Sequence, residues 1–194
     1  MRRLGLDDLD LAAILLNDGL VVAIPTDTVY GLAARLDDPK ALDALYVVKG
    51  RPETKPLPVL VADPMAIHEL LGEVPPQLSA VVERHWPGAL TIVTACGEQL
   101  AVRVRASDGT VGIRCPDDPT ARALLRITGP LCVTSANRSG EAPCRSADEV
   151  MTVFASTDSI VAVLDAGRRD GEPSTVVTVR GSQLHVLREG PIEL

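Results

Sequence analysis

The sequence predicts an α/β fold: one open, mixed parallel and antiparallel sheet with flanking helices. Three observations predict it. Short apolar runs alternate with helical stretches through the first half of the chain. An Asp-Pro pair, the N-cap residue followed by a first-turn proline, opens helices at Asp38-Pro39, Asp63-Pro64 and Asp118-Pro119. Beyond Leu90 short strands outnumber helices, so the sheet cannot be purely parallel. No repeat, low-complexity tract or long linker interrupts the pattern, and residues 1–194 read as a single domain.

The elements follow in order. The stretch DDLDLAAILLNDG has aspartates at its start and Gly19 at its end, as a helix needs. A strand is expected over 20–24, then the loop PTDTVYGL, a helix over 39–48 and a polar loop to Pro56. A strand over 57–61 precedes helices from Asp63 to Leu71 and over 76–85. Strands are expected over 90–94, 101–105 and 111–114, then a helix from Asp118 to about Ile127, a strand over 131–134 and a helix around 147–154. Strands near 160–164, 175–180 and 184–187 complete the chain.

Composition narrows the function. Hydrophobic residues make up 46% of the chain, but only Tyr30, Tyr46, Trp86 and Phe154 are aromatic. The core must therefore be aliphatic, and four aromatics argue against a site of stacked rings. Apolar runs are far too short to span a bilayer, and the acidic start lacks the apolar stretch of a signal peptide, which points to a cytosolic protein with no membrane partner. Cys96, Cys115, Cys132 and Cys144 lie far apart with no CxxC pair, as buried thiols rather than a zinc or redox centre. A net charge of -7 disfavours direct RNA binding. Any phosphate site must be local, and lysine usage marks one: of only three lysines (Lys40, Lys49, Lys55), two stand in KGRPETK.

Four segments carry candidate chemistry. IPTDTVYGL leaves an apolar strand and offers two hydroxyls, a carboxylate and a phenol within Thr26 to Gly31, though a plain turn also accounts for Pro25, Asp27 and Gly31. KGRPETKPL holds three cations on a backbone restricted by Pro52 and Pro56, so less entropy is lost when they meet an anion; a solvated loop is the plainer alternative. GTVGIRCPDDP sets Thr110 and Arg114 at the two ends of a β run, with Asp117 or Asp118 capping the next helix. CVTSANRSG ends a strand with Thr134, Ser135, Asn137 and Ser139, which can satisfy a turn or grip phosphate oxygens. Neither GxxxxGK[ST] nor GxGxxG occurs, so a bound nucleotide needs another cradle.

Taken together and in this order, PTDTVYGL, KGRP with KPL, WPGALTIV, VGIRCPDDP, TSANRSG, STVV and VLREG resemble the YrdC family from about Gly19 to Gly190. The family's Lys-x-Arg and Ser-x-Asn sets fall on Lys49, Arg51, Ser135 and Asn137. Two stretches depart from its pattern: Ala89 in RHWPGAL, where a second proline is commoner, and APCRSADEV around Pro143 and Cys144. The chain stops at Leu194, as in the short form without the second domain.

The resemblance implies an open, twisted α/β domain with a concave basic site where ATP and L-threonine meet, and synthesis of threonylcarbamoyl-AMP from L-threonine, bicarbonate and ATP for tRNA modification. It implies that Arg51, Lys55, Thr110, Ser135 and Arg188 hold ATP, with Lys49 and Asn137 completing the wall of a catalytic set Lys49, Arg51, Ser135 and Asn137. Thr28, Arg114, Thr134 and Ser174 would hold L-threonine. Mg²⁺ would come with ATP, without a dedicated protein metal site, and a downstream tRNA threonylcarbamoyl transferase would take the product. Two alternatives stand beside this reading: a YrdC-like paralogue acting as an RNA-binding or ribosome-maturation factor, and the related domain of hydrogenase maturation factors. The second normally sits among modules whose length and cysteine pairs this sequence lacks.

Overall fold

Sheet pairing is the first consequence of the apolar runs. A computed structural model describes residues 1–52, 55–71, 74–96, 100 and 104–194. Its strands are β1 (Arg2–Leu4), β2 (Val21–Ile24), β3 (Gly31–Arg35), β4 (Val59–Leu60), β5 (Leu90–Ala95), β6 (Thr110–Arg114), β7 (Leu131–Ser135), β8 (Ile160–Leu164), β9 (Thr175–Arg180) and β10 (Gln183–Arg188). Its helices are α1 (Leu9–Asn17), α2 (Pro39–Lys49), α3 (Ala66–Leu71), α4 (Pro76–His85), α5 (Pro119–Thr128) and α6 (Ala147–Val153). All the strands form one sheet in the order β1-β8-β2-β3-β7-β4-β6-β5-β9-β10. The pairs β1–β8, β2–β8, β4–β6 and β5–β9 are parallel and the others antiparallel, the mixed α/β sheet expected.

Two of the three Asp-Pro signals open helices as read, whereas at Asp63-Pro64 the carboxylate accepts from the Met65 amide in a turn and the helix expected from Asp63 begins only at Ala66. Asp38 accepts from the amides of Lys40 and Ala41 to cap α2, which ends at Gly50 in the left-handed region at φ 59°. Asp118, rather than Asp117, caps α5 through the Ala121 amide. Gly19 follows α1 at φ 78°, although the first acidic residues lie in a separate 3₁₀ turn, Leu6–Asp8.

Four stretches of the sheet differ from expectation. The run GLAAR was not expected to be a strand, yet it is β3, paired on both sides by β2 and β7. Its small residues have weak strand propensity, and the flanking strands decide the outcome. β1 was also missed, because three residues with two arginines carry no alternation. The strand expected over 57–61 shrinks to β4 since Pro56 and Pro58 have no amide to donate to a ladder. For the strand expected over 101–105, residues 101–103 lie outside the described residues, and Val104 and Arg105 fall in a turn and bend.

Alternation assigns the two faces. Leu32, Ala34, Val59, Ile92, Val111, Ile113, Cys132 and Val177 face α2, α4 and α6, in a core that also holds Leu42, Leu45, Leu78, Val82 and Val150. Val22, Ala33, Leu131, Val133, Ala162 and Leu164 face α1 and α5, meeting Ala12, Leu16, Leu124 and Leu125. Those two helices cover the β8, β2 and β3 side of this second face. Its other half, over β4, β6, β5 and β9, is where the site lies.

Candidate active site

A cavity of about 350 Å³ opens over that uncovered half. Its lining follows strand parity: Thr91 and Val93 from β5, Thr110, Gly112 and Arg114 from β6, Val133 and Ser135 from β7, Leu60 from β4 and Val176 from β9. Leu60 and Val133 belong both to the core beneath α1 and α5 and to the cavity floor, so the site continues the core face beyond its helical cover. Arg51, Arg114 and Arg188 also line it, and no carboxylate does among the described residues.

The residues at the closed end are buried. Thr28, Arg114 and Ser174 are each under a tenth exposed, while Arg51, Thr110 and Ser135 are half-buried and Arg188 is exposed. Arg114 donates from Nη2 to Asp27 Oδ1 at 2.6 Å, from Nη1 to Thr28 Oγ1 at 3.0 Å and from Nε to the Gly88 carbonyl at 2.9 Å. Burial pulls its pKa down and the Asp27 carboxylate opposes that shift. Asp27, which reads as a turn residue in sequence, is thus the counterion of the deepest guanidinium. Only their tertiary proximity reveals it.

Across the cavity, Arg188 donates from Nε and Nη2 to the Ser174 carbonyl and from Nη2 to Ser174 Oγ at 3.0 Å. Ser174 Oγ lies 2.8 Å from Thr91 Oγ1, so Thr91 joins the site without any sequence signal. Burial first, then the charge of Arg114, lowers the Arg188 pKa, as two cations facing one space require.

At the opposite wall, Arg51 reaches back to its own loop, donating from Nε to Lys55 O at 3.1 Å and from Nη2 to Pro56 O at 2.9 Å. Tyr46 Oη also donates to Lys55 O. The Lys55 side chain stands exposed outside the lining. Lys49 and Asn137 do not form the wall directly, as the sequence reading placed them; they sit behind Ser135, both buried. Lys49 Nζ donates to Ser135 O (2.5 Å), Ser135 Oγ (3.0 Å) and Asn137 Oδ1 (2.7 Å), and Ser135 Oγ donates to the same Oδ1 at 2.6 Å. Burial, and then Arg51, bring the Lys49 pKa down to about 8.

Two further expectations change. The phenol of Tyr30 is fully buried and donates to the Gly167 carbonyl at 2.8 Å instead of serving the loop's exposed chemistry. Thr134 shares its parity with Cys132 and Leu32, so it borders the cavity through its main chain and its hydroxyl is turned to the other face. Thr110 donates to Asp108 Oδ1 at 2.7 Å, which leaves its hydroxyl only acceptor capacity. Pro143, in the stretch that departs from the family pattern, lines the cavity, and Cys144 is held by main-chain bonds to Tyr30 and Ala136. All four cysteines are free, and no group of side chains among the described residues could hold a metal ion. No helix among them is long and apolar enough to cross a membrane.

The chain is similar to proteins of known name. The chain is 39% identical over 184 residues to a threonylcarbamoyl-AMP synthase of Bacillus subtilis, covering 93% of this chain and 53% of that protein. It is 37% identical over 175 residues to a putative threonylcarbamoyl-AMP synthase of Mycobacterium tuberculosis, covering 90% of this chain and 80% of that one. P. abyssi Sua5 complexed with L-threonine superposes with a TM-score of 0.90 at 30% identity over 97% of this chain and 57% of that chain. The chain thus spans about half the length of the Bacillus and P. abyssi relatives. E. coli YciO shares the fold with a TM-score of 0.87 at 21% identity, over 97% of this chain and 94% of that one. The Sua5, YciO and YrdC family model, described as "Telomere recombination", matches residues 14–190, and the chain belongs to that family.

Proposed function

We propose that the protein is an L-threonylcarbamoyladenylate synthase, forming threonylcarbamoyl-AMP and pyrophosphate from L-threonine, bicarbonate and ATP. One observation carries the reading: a single cavity joins a buried end built from Arg114, Thr28 and Ser174 to a more open rim bearing Arg51, Ser135, Thr110 and Arg188. A small zwitterion suits the first and a polyphosphate the second. Relatives named for this activity support the assignment.

In this mechanism the threonine amine combines with bicarbonate, releasing water, to give an N-carboxylate. A carboxylate oxygen then bonds to the α-phosphorus of ATP as the bond to pyrophosphate breaks. The protein supplies no nucleophile; it aligns the two substrates and offsets the charge that builds on the phosphates. In this reading Arg51 and Arg188, which line the cavity, do so, and Lys49 acts from behind by fixing Ser135. Among the described residues the lining has hydroxyls and guanidiniums but no carboxylate, a donor set that does not suit a resident Mg²⁺. The ion would arrive on the ATP phosphates.

The product is a reactive mixed anhydride, so a tRNA threonylcarbamoyl transferase acts downstream. Free thiols fit a reducing cytoplasm. The net charge of -7 gives no support to an RNA-binding role, and we leave that alternative aside. The test is to incubate purified protein with ATP and bicarbonate, with and without L-threonine, and follow pyrophosphate. Release should need threonine and bicarbonate together; ATP consumption that ignores threonine removes the reading.

A further inference from the structure

The Arg51 guanidinium is braced along one edge and open along another. Nε and Nη2 donate to two successive carbonyls, Lys55 O at 3.1 Å and Pro56 O at 2.9 Å. The remaining N–H groups, two on Nη1 and one on Nη2, make no hydrogen bond among the described residues. They include the parallel pair at the end of the fork, which fits two oxygens of one phosphate group.

The direction of that open edge is only as fixed as the two carbonyls that brace the other. Pro56 is secured from downstream, where Leu57 is fully buried and Pro58 O accepts from the Val133 amide at 2.9 Å. Lys55 has an exposed side chain, and its amide closes a turn onto Pro52 O at 3.0 Å. What reaches Lys55 from the core is Tyr46, in α2. Tyr46 is 5% exposed and belongs to the core cluster on the far side of the sheet from the cavity, and its Oη donates to Lys55 O at 3.1 Å. Its own carbonyl accepts from the Arg51 amide at 3.0 Å. Tyr46 therefore grips the loop at both ends, by main chain at Arg51 and by hydroxyl at Lys55. Lys55 O takes the Tyr46 hydroxyl and Arg51 Nε together, as the two lone pairs of a carbonyl allow.

We propose that Tyr46 is a positioning residue for phosphate binding: through the Lys55 carbonyl it fixes the Arg51 guanidinium, so that the open edge is held ready for an anion at the rim. The ring fills the core, and the oxygen carries the functional task. Tyr46 does not line the cavity and acts only through Arg51, which does. The proposal rests on the ATP reading of the rim given above.

The test is a mutant cycle on the full chain with Y46F, R51K and Y46F/R51K. ATP and L-threonine affinities are read by calorimetry, and melting temperatures are taken beside them. Y46F keeps the ring and removes one hydroxyl. It should weaken ATP about fivefold, the usual size for one hydrogen bond, and leave L-threonine affinity unaltered. R51K keeps the positive charge but has no Nε–H for the Lys55 carbonyl to hold. It should itself weaken ATP, and adding Y46F to it should change ATP affinity by less than about twofold. A merely structural role for the hydroxyl would weaken ATP by the same factor in both backgrounds. Y46F binding ATP as the wild type does, a Y46F effect as large in R51K as in the wild type, or R51K binding ATP undiminished overturns the proposal. Failure of the wild-type protein to bind ATP at all instead overturns the reading beneath it.

Discussion

Lys49 Nζ lies 2.7 Å from Asn137 Oδ1, joining the last turn of α2 to the loop after β7 across 88 residues of sequence. The Ser139 amide also donates to the Lys49 carbonyl at 2.8 Å, so main chain and side chain tie the same two segments. This clamp holds Ser135 at the rim from behind, and its protonation state governs the rim.

Activity should therefore fall as pH rises through about 8, where Lys49 loses its charge and one of its N–H donors. The stability effect has the opposite sign. The unfolded chain keeps this proton up to the ordinary lysine pKa, whereas the folded protein has released it, so over that interval this group makes the fold more stable as pH rises. A pH profile of pyrophosphate release, taken beside thermal melts, checks both directions. In K49R the alkaline limb should move upward, since guanidinium does not titrate there.

Replacing Arg51 by Ala should reduce turnover about a hundredfold, the usual size for one donor aimed at developing charge. The fold should survive, because Arg51 lies in a loop and its own bonds go to Lys55 and Pro56 in that loop. Lys55, exposed and outside the lining, should be much less sensitive. Initial rates and circular dichroism on both variants make the comparison; equal rates in R51A and wild type would return the loop to a solvated surface.

Threonine should be preferred to valine, with serine between them. The candidate hydroxyl readers are now Thr28 and Ser174, since Thr134 turns its side chain to the other face. An unpaired buried polar group costs about 1–3 kcal/mol when valine binds. Serine keeps the hydroxyl but loses a methyl group worth about 1 kcal/mol. Pyrophosphate release at equal concentrations of the three amino acids should follow that order.

Gly112→Val should abolish ligand binding while leaving the fold standing. Gly112 lies between Thr110 and Arg114 on the cavity face of β6, and a Cβ there meets nothing nearer than 3.5 Å. A β-branched side chain suits a strand and projects into the floor. The expected result is an unchanged or raised melting temperature with L-threonine binding lost in calorimetry; retained binding would mean the floor is not used.

Gly171→Ala should behave differently, because the added carbon meets backbone on the Thr28 segment, which cannot turn aside. Overpacking of this kind costs about 1–3 kcal/mol. A lowered melting temperature together with weakened L-threonine binding is expected, since Thr28 and the segment leading to Ser174 are pushed apart.

Much of this protein could be read from its residues. Asp38, Asp118 and Gly19 marked their helix ends because capping is a local matter of one residue and the next few amides or carbonyls. Thr110, Gly112 and Arg114 share a strand face by alternation alone, and lysine usage singled out the loop that carries Arg51. Tertiary structure decided the rest. GLAAR becomes β3 only because β2 and β7 pair it, and alternation sets Thr134 opposite Ser135, but only the packing of the sheet decides which of the two faces the cavity. Asp27 finds Arg114 and Lys49 finds Asn137 across 87 and 88 residues. Such contacts depend on which half of a sheet face two helices leave bare, a packing outcome that no local pattern encodes.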